Sequence, residues 1–299
     1  MEINRATLNA FFVGMRALFD EAAAGASTDY LKFTTEISSS TAIEIFRFLQ
    51  RFGGMREWVG ERVINNFASG KLDVVNRDFE DTVAVARNDY EDDLLAQYAA
   101  AIRTMGQGSK ELWRDLAVEA LVNGAAAVWL DGLNFFSTAR KYGKNTINNK
   151  GTAALSAAAY KSARATMFKY KDATGKNGKV RPTLLLVGPD NEDVAFGVLQ
   201  NELTLNIANG TTATAAKNPW AGKSEYLVLP ELGSEWFLLD NTRPTKPIIV
   251  QKRREPVLVA KDQPTDDNVF FKKEYIYGCD GRGAAFLSLP HLIYGSFPA

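Results

Sequence analysis

The sequence predicts an α+β fold in which helices come early and strands dominate the second half. Three observations carry this prediction. An apolar stripe at helical spacing runs for roughly 35 residues after position 88, well beyond the usual helix length. Residues 226–289 form a series of short strand patterns separated by polar turn sequences. Between these two regions, residues 152–202 have the pattern of a helix–strand–helix unit, which indicates an inserted α/β part.

The composition excludes several classes of protein. The 299 residues are 46% hydrophobic and 23% charged, which is typical of a globular chain. Because 35 basic residues balance 35 acidic ones, the composition argues against a protein whose main function is to bind a polyanion. The single cysteine, Cys279, excludes an internal disulfide, and the single histidine, His291, excludes a histidine-cluster metal site. With no signal-peptide pattern and no membrane-spanning apolar run, we expect a protein that is cytosolic when made.

The N-terminal residues predict an amphipathic helix over positions 5–20. Six large apolar residues recur there at helical spacing: Leu8, Phe11, Phe12, Met15, Leu18 and Phe19. A loose "AAAGASTDY" stretch follows. We therefore expect this helix to be an arm with no place in the core.

A charged, alternating stretch predicts a two-stranded hairpin. Leu72–Val75 form the first strand, Asn76–Asp78 supply the turn, and Phe79–Arg87 form the second strand. Neither face of the second strand is apolar enough for a sandwiched core strand. Since a ribbon of two strands is marginal in water, we expect it to lie on a surface of this chain or of another chain.

The long helix is predicted to begin at an Asn88 N-cap, with Glu91 in a capping box, and to stop at Asn123-Gly124. Roughly 35 residues give a length of about 50 Å, so the helix resembles a beam laid across a sheet. Gly106 and Gly108 are candidate bend positions. The stripe consists of Leu94, Tyr98, Ile102, Met105, Leu112, Leu116 and Ala120.

Later elements are predicted from short local patterns. A helix is expected over Thr152–Asp172, a strand buried on both faces at "RPTLLLVGP", and a helix at "DNEDVAFGVLQNE". The strand-rich end has "DGRG", residues 280–283, among its turn sequences. The predicted strands are Tyr226–Leu229, Trp236–Leu239, Ile248–Gln251, Val257–Ala260, Val269–Tyr277 and Ala284–Leu289.

The candidate chemical motifs do not form an active site. Gly222–Ser224 imitate the end of a phosphate loop, but Lys217 stands where the loop needs a glycine. The "GRGAAF" sequence has Phe286 in place of the third glycine of a dinucleotide motif, so a tight turn is favoured. Cys279 and His291 are better explained as packed residues than as a thiolate–imidazole pair.

The acidic clusters at residues 91–93 and 266–267 are better explained as a helix start and a solvated loop than as metal sites. We therefore expect no catalysis, no metal and no cofactor.

Five sequence blocks resemble the major head subunit of Mu-like phages and prophages, which has the Hong Kong 97-type capsid fold. The blocks occur in the expected order, although the likeness thins between about 140 and 225. They are "MEINRATLNAFFVGMRALF", "GMREWVGERVINNF", "RDFEDTVAVARNDYEDDLLAQY", "LVNGAAAVWLDGLNFFST" and "EWFLLDNTRPTKPIIVQKRREPVLVAKDQPTDDNVFFKKEYIYGCDGRG".

The resemblance implies the parts of that fold: an N-terminal arm, an extended hairpin loop, a long spine helix, and peripheral and axial domains. The implied ranges are an N-terminal arm at 1–45, an extended loop at 46–87, a peripheral domain with the spine helix at 88–150, an axial domain at 151–240, and peripheral C-terminal strands at 241–299. In this fold the extended loop lies over a neighbouring subunit. The residues expected to meet charges on that neighbour are Arg77, Asp78, Glu80, Asp81 and Arg87.

The implied function is structural. Copies of the chain would assemble as hexamers and pentamers into an icosahedral virion shell that encloses double-stranded DNA without binding it specifically. The family implies a scaffolding protein, a head protease and a portal as partners, and no membrane. Two alternatives stay open: an encapsulin-like protein compartment, and a soluble α+β enzyme or small-molecule-binding protein.

Overall fold

The computed structural model describes residues 4–46, 70–92, 96–208 and 212–298. These residues form five α-helices: α1 (Arg5–Gly25), α2 (Arg87–Glu91), α3 (Ala96–Val122), α4 (Ala157–Phe168) and α5 (Glu192–Leu199). None of the helices in these ranges is long and apolar enough to cross a membrane.

The same residues form β-strands in five sheets. The strands are β1 (Thr34–Ser38), β2 (Ile43–Phe46), β3 (Leu72–Val75), β4 (Arg77–Ala86), β5 (Arg140–Tyr142), β6 (Asn145–Ile147), β7 (Lys150–Gly151), β8 (Leu184–Val187), β9 (Leu203–Ala208), β10 (Thr212–Lys217), β11 (Glu225–Val228), β12 (Trp236–Leu239), β13 (Ile248–Arg254), β14 (Val259–Lys261), β15 (Glu274–Leu287) and β16 (Ile293–Ser296).

The first large sheet is organised around β15, a strand of 14 residues. Its order is β1-β13-β15-β14, and β4 pairs with β15 as well. All pairs are antiparallel except β1 with β13. Helix α3 crosses this sheet, so the prediction of a beam-like helix over the late strands is correct.

The predicted turn at residues 280–283 is wrong, because these residues lie within β15. A Cβ atom on Gly283 would lie 2.4 Å from the Gln251 carbonyl oxygen and 2.6 Å from the Trp113 ring. The glycine is therefore needed for the close approach of α3 to the sheet and not for a turn. The predicted strand Val269–Tyr277 also differs, since Asn268–Lys272 form a helical turn before β15 begins.

Helix α3 confirms the described part of the predicted stripe, because Ile102, Met105 and Leu116 are all buried, while Leu94 lies outside the described residues. It ends at Val122, where a 3-10 turn follows, so the predicted stop is correct within two residues. The predicted start is wrong. Asn88 lies inside the short helix α2, whose N-cap is Ala86 and whose C-cap is Asp92, and residues 93–95 before α3 lie outside the described residues.

Helix α1 has the predicted position but not the predicted isolation. Its Leu8 and Phe19 are buried in one cluster with Ile102 and Met105 of α3. A Cβ atom on Gly106 would lie 2.4 Å from the Phe19 carbonyl oxygen, so this glycine allows the two helices to touch and marks no break in α3. The expectation of an arm with no place in the core is therefore wrong for this subunit.

The second large sheet has the order β11-β8-β12-β16-β7. Leu184–Val187 are buried at every position, as their continuous apolar run predicts. Helix α5 is found where predicted, whereas α4 is shorter than the expected Thr152–Asp172. The last strand, β16, pairs with β12, so the chain passes from β15 of the first large sheet back to the second large sheet.

One apolar cluster connects the two large sheets. Trp113 and Leu116 of α3 share it with Val250 of the first sheet and with Leu184 and Phe237 of the second. Burial of so much apolar surface in one continuous cluster is the main stabilising contribution that the fold offers.

Candidate assembly surface

The predicted hairpin is not present, because β3 and β4 do not pair with each other. Strand β3 pairs with β2, placing Ile43 opposite Val75 and Phe46 opposite Leu72. Strand β4 pairs with β15 through all ten of its residues. The structure therefore has a different ribbon, made of β2 and β3, and residues 47–69 between its strands lie outside the described residues. We call the β2–β3 pair the ribbon.

Asn76 separates the two strands and directs them to different partners. This side chain is buried, and its Nδ2 donates to Ser39 Oγ at 2.9 Å and to the Thr41 carbonyl at 2.9 Å. Its Oδ1 accepts a hydrogen bond from Gln251 Nε2 at 2.7 Å. The side chain of Asn76 thus joins the segment before the ribbon to the centre of the first large sheet.

Strand β4 pairs within its own subunit, although six of its ten residues stay exposed. Val85 is buried in the cluster that contains Tyr275 and Tyr277 of β15 and Leu8 of α1. The pairing partner of this strand is therefore in its own chain, and cover of its exposed residues by a second chain stays a prediction. The ten residues of β4 pair with β15, which lies almost 200 positions later in the chain, and the sequence pattern did not identify this partner.

The five charged residues predicted for an interface lie on or next to β4, and several pair within their own chain. Arg77 binds Glu119 at 3.1 and 2.5 Å, Arg282 approaches Asp78 at 3.4 Å, and Arg87 binds Glu91 at 3.0 Å.

Glu80 and Asp81 remain exposed, and Glu80 accepts from the Thr82 hydroxyl at 2.7 Å. A role between subunits stays a prediction for all five residues.

The two faces of the ribbon differ sharply. On the inner face Phe46 packs on Phe286 of the first sheet, with ring centroids 4.6 Å apart, and Val74 is buried. On the outer face the side chains of Ile43, Ile45 and Val75 are 50%, 56% and 58% exposed. β-branched apolar residues grouped on one exposed face indicate a surface that a partner covers.

A second exposed apolar feature was missed by the sequence interpretation. Phe270 and Phe271 are 74% and 75% exposed, with ring centroids 5.0 Å apart, in the helical turn before β15. We call Asn268–Lys273 the aromatic turn. One signal was available: in a strand, neighbouring side chains point to opposite faces, so two successive phenylalanines cannot both be buried on one face.

A hollow of about 300 Å³ lies between α3, β4 and β15. Its apolar lining comes from α3, from the strands and from the loop before β14. Asp81 lines it from the face of β4 that also carries Phe79, whereas Glu80 points to the opposite face, where it accepts from Thr82. The lining residues are Phe79, Glu80, Asp81, Met105, Gly108, Ser109, Leu112, Pro256, Cys279 and Gly281.

Cys279 and His291 do not form a reactive pair. Burial raises the pKa of the Cys279 thiol to about 11, which opposes formation of a thiolate. Burial lowers the pKa of His291 to about 3, and its ring lies edge-on to Tyr142 at 6.4 Å.

Ser224, from the sequence that imitates a phosphate loop, has a structural role, since its hydroxyl lies 2.7 Å from the Tyr160 hydroxyl. Across the ranges that the structure describes, no group of three or more histidine, cysteine, aspartate or glutamate side chains is placed to hold a metal ion.

Comparison with known proteins shows which family the chain resembles. The family model "Mu-like prophage major head subunit gpT" matches residues 8–153, 142–232 and 228–298. The Mu-like prophage FluMu major head subunit of Haemophilus influenzae is 25% identical over 295 residues, which are 98% of this chain and 74% of that protein. The major capsid protein of Escherichia phage Mu is 26% identical over 285 residues, covering 95% of this chain and 72% of that protein.

A solved structure supports the same relationship. The procapsid of bacteriophage JBD30 contains a chain that is 26% identical and superposes with a TM-score of 0.62. The match covers 99% of this chain and 77% of that chain. Similarity over nearly the whole length means that the fold as a unit, and not one motif, is shared.

Proposed function

The chain belongs to the family of Mu-like prophage major head subunits, and we propose that its ribbon is the surface through which neighbouring copies join. The protein is a structural capsid protein of the phage virion and not an enzyme. The exposed outer face of the ribbon is the single observation that carries the proposal.

The outer face suits a contact between subunits for a physical reason. Ile43, Ile45 and Val75 leave apolar area in water that a neighbouring copy would remove from solvent. The inner face is already anchored through Phe46 and Val74, so the ribbon is held in place before assembly. A held ribbon loses less conformational entropy on binding than a free one.

The two strands of the ribbon, Ile43–Phe46 and Leu72–Val75, are accordingly assigned to the extended loop, and β4 is given to the peripheral domain. In this proposal the first large sheet and α3 form the peripheral domain. The second large sheet with α4 and α5 forms the axial domain, and β16 belongs to it. The resulting boundaries follow strand pairing, which the sequence pattern could not supply.

Repeated weak contacts are sufficient for a closed shell. Symmetric assembly uses the same interface many times, so modest contacts combine while each one stays reversible. Hexamers and pentamers of this chain, a scaffolding protein, a head protease and a portal are proposed as partners from the family resemblance. The net formal charge of zero supports a shell that encloses double-stranded DNA without specific binding.

Expression with a scaffold partner and negative-stain microscopy test the proposal. Shells, capsomers or tubes are expected from the parent chain, and a triple serine variant at Ile43, Ile45 and Val75 should remain folded but fail to assemble. The control variant places serine at Val13, Val257 and Val259, whose exposures of 59%, 49% and 56% match the ribbon. Normal shells from the ribbon variant would contradict the ribbon proposal. A stable parent monomer that binds a metabolite would contradict assembly itself.

A further inference from the structure

We propose that the aromatic turn of one copy docks in the hollow of a neighbouring copy, with Phe270 and Phe271 on its apolar lining and Lys272 and Lys273 towards the Asp81 carboxylate. This inference rests on the proposed assembly function. It names a second contact, separate from the ribbon, and assigns both sides of that contact.

The aromatic turn is a fixed projection. The Asn268 Nδ2 donates to the Lys261 carbonyl at 2.8 Å and to the Glu274 carbonyl at 2.7 Å, and the Phe270 amide donates to the Asp266 carbonyl at 2.9 Å. These bonds hold the base of the turn while both rings stay in solvent. Two exposed aromatic side chains on a held base are typical of the anchors that dominate interfaces.

The turn does not fill the hollow of its own subunit. It ends where β15 begins at Glu274, whereas Cys279 and Gly281 line the hollow five and seven residues further along that strand. At about 3.3 Å per residue the separation is roughly 17–23 Å. The turn therefore cannot reach the hollow of its own subunit, whereas the turn of a second copy carries side chains that suit it.

The hollow has the size and lining for aromatic rings. A dry cavity of roughly 150 Å³ accepts benzene, and the hollow measures about 300 Å³. The glycine at 281 keeps it open, because a Cβ atom there would lie 2.8 Å from Pro256 Cγ and 3.2 Å from Leu112 Cδ2. Met105 and Cys279 add soft apolar surface that adapts to a ring.

The charges of the two surfaces are complementary. Two lysines follow the phenylalanines, while the exposed Asp81 lines the hollow. On the other side of the turn, Asp266 is used within its own loop, where it accepts from the Gln263 amide at 2.8 Å. Complementary charge would align the turn over the hollow and disfavour other registers.

The contact is heterologous, because each copy gives one aromatic turn and receives another. Heterologous contacts generate closed rings when the rotation between copies closes. A contact of this kind fits a shell that is built from rings of identical subunits.

Charge reversal tests the pairing. The Lys272→Glu, Lys273→Glu variant and the Asp81→Lys variant should each lower the yield of sedimenting shells by about tenfold or more, since like charges would face each other. The three substitutions together should restore most of the yield. Absence of restoration in a folded chain would overturn the pairing. Phe196→Ser, at a 46% exposed phenylalanine of α5, is the matched control for Phe270→Ser and should leave assembly unchanged.

Cross-linking tests the geometry. In a Cys279→Ala background, Phe271→Cys with Asp81→Cys should give a covalent ladder of subunits when assembled shells are treated with a thiol oxidant. Bonding by Phe271→Cys alone would mean that aromatic turns meet one another, and it would overturn the proposal, as would intact shells without any ladder. Failure of the parent chain to form shells would count against the assembly function instead. The charge-reversal variants keep the native cysteine, so they decide the question if the background variant does not fold.

Discussion

Strands β3 and β4 are separated by one residue and have similar alternating sequences, yet the structure uses them in opposite ways. β3 lies in the ribbon, where Val75 is 58% exposed, and β4 forms a full ladder with β15 beneath α3. The difference teaches that alternation predicts a strand but not its partner. Partners are chosen by residues far away in the chain, here at positions 43–46 and 274–283.

The comparison of β3 with β4 leads to a general expectation. Changes around β4 and β15 should affect the folding of one subunit, whereas changes on the outer face of the ribbon should affect the association of subunits. The predictions below test this division, from the largest expected change in the free energy of unfolding to the smallest.

Trp113→Ala should destabilise the unassembled subunit by about 3–5 kcal/mol. The indole is fully buried between α3 and the first sheet, close to the position that Gly283 keeps free of a side chain. Denaturant unfolding of the unassembled chain measures the loss. A loss below about 1 kcal/mol would mean that α3 and β15 do not form the core of the subunit.

The sequence predicted those features of the fold that depend on local signals. The stripe of α3, its end near Asn123, helix α5 and the buried strand Leu184–Val187 all follow from spacing, caps and apolar runs. The pairing of β4 could not be predicted in this way, because it depends on β15. The role of Gly283 was equally hidden, since a glycine at a turn and a glycine beneath a helix look alike in sequence.

The assembly surface was predicted less well than the fold. Charged residues on β4 were selected because the extended loop of the resembled fold lies over a neighbouring subunit, whereas β4 pairs with β15 of its own chain. Asp81 remains a candidate for a different reason, namely its place in the hollow. Phe270 and Phe271 were assigned to a strand, which concealed their exposure.

Asn76→Ala should cost about 1–3 kcal/mol, because it leaves buried hydrogen-bonding groups without their partner. The bonds to Ser39 and to the Thr41 carbonyl are lost, and Gln251 Nε2 loses its acceptor. Thermal unfolding of the unassembled subunit measures the effect. Adding Gln251→Met removes the side-chain amide that Asn76→Ala leaves without its acceptor, so part of the lost stability should be recovered. No change on the first substitution would mean that Asn76 does not hold the two strands apart.

The Arg77–Glu119 pair should contribute about 0–1 kcal/mol to the subunit, because exposed ion pairs are screened by solvent. The two side chains are 49% and 46% exposed. A double-mutant cycle with Arg77→Ala and Glu119→Ala measures the coupling, which should fall as salt is added. A coupling well above this range in the free subunit would show that the pair is part of the core. A larger coupling in assembled shells would instead assign Arg77 to the interface.

The smallest change in subunit stability is expected from Ile45→Ser. This side chain lies on the outer face of the ribbon, so its loss should alter the free energy of unfolding by no more than about 0.5 kcal/mol. Val74→Ser is the matched control, because Val74 lies on the inner face of the same ribbon and is buried with Ile249 and Phe286.

The two substitutions should therefore separate folding from assembly. Val74→Ser should lower the unfolding midpoint of the free subunit, while Ile45→Ser should lower the yield of shells at an unchanged midpoint. Equal effects on the midpoint would mean that both faces of the ribbon are buried in one subunit. In that case the ribbon, like β4, would have its partner within its own chain, and the contact between copies would have to lie elsewhere.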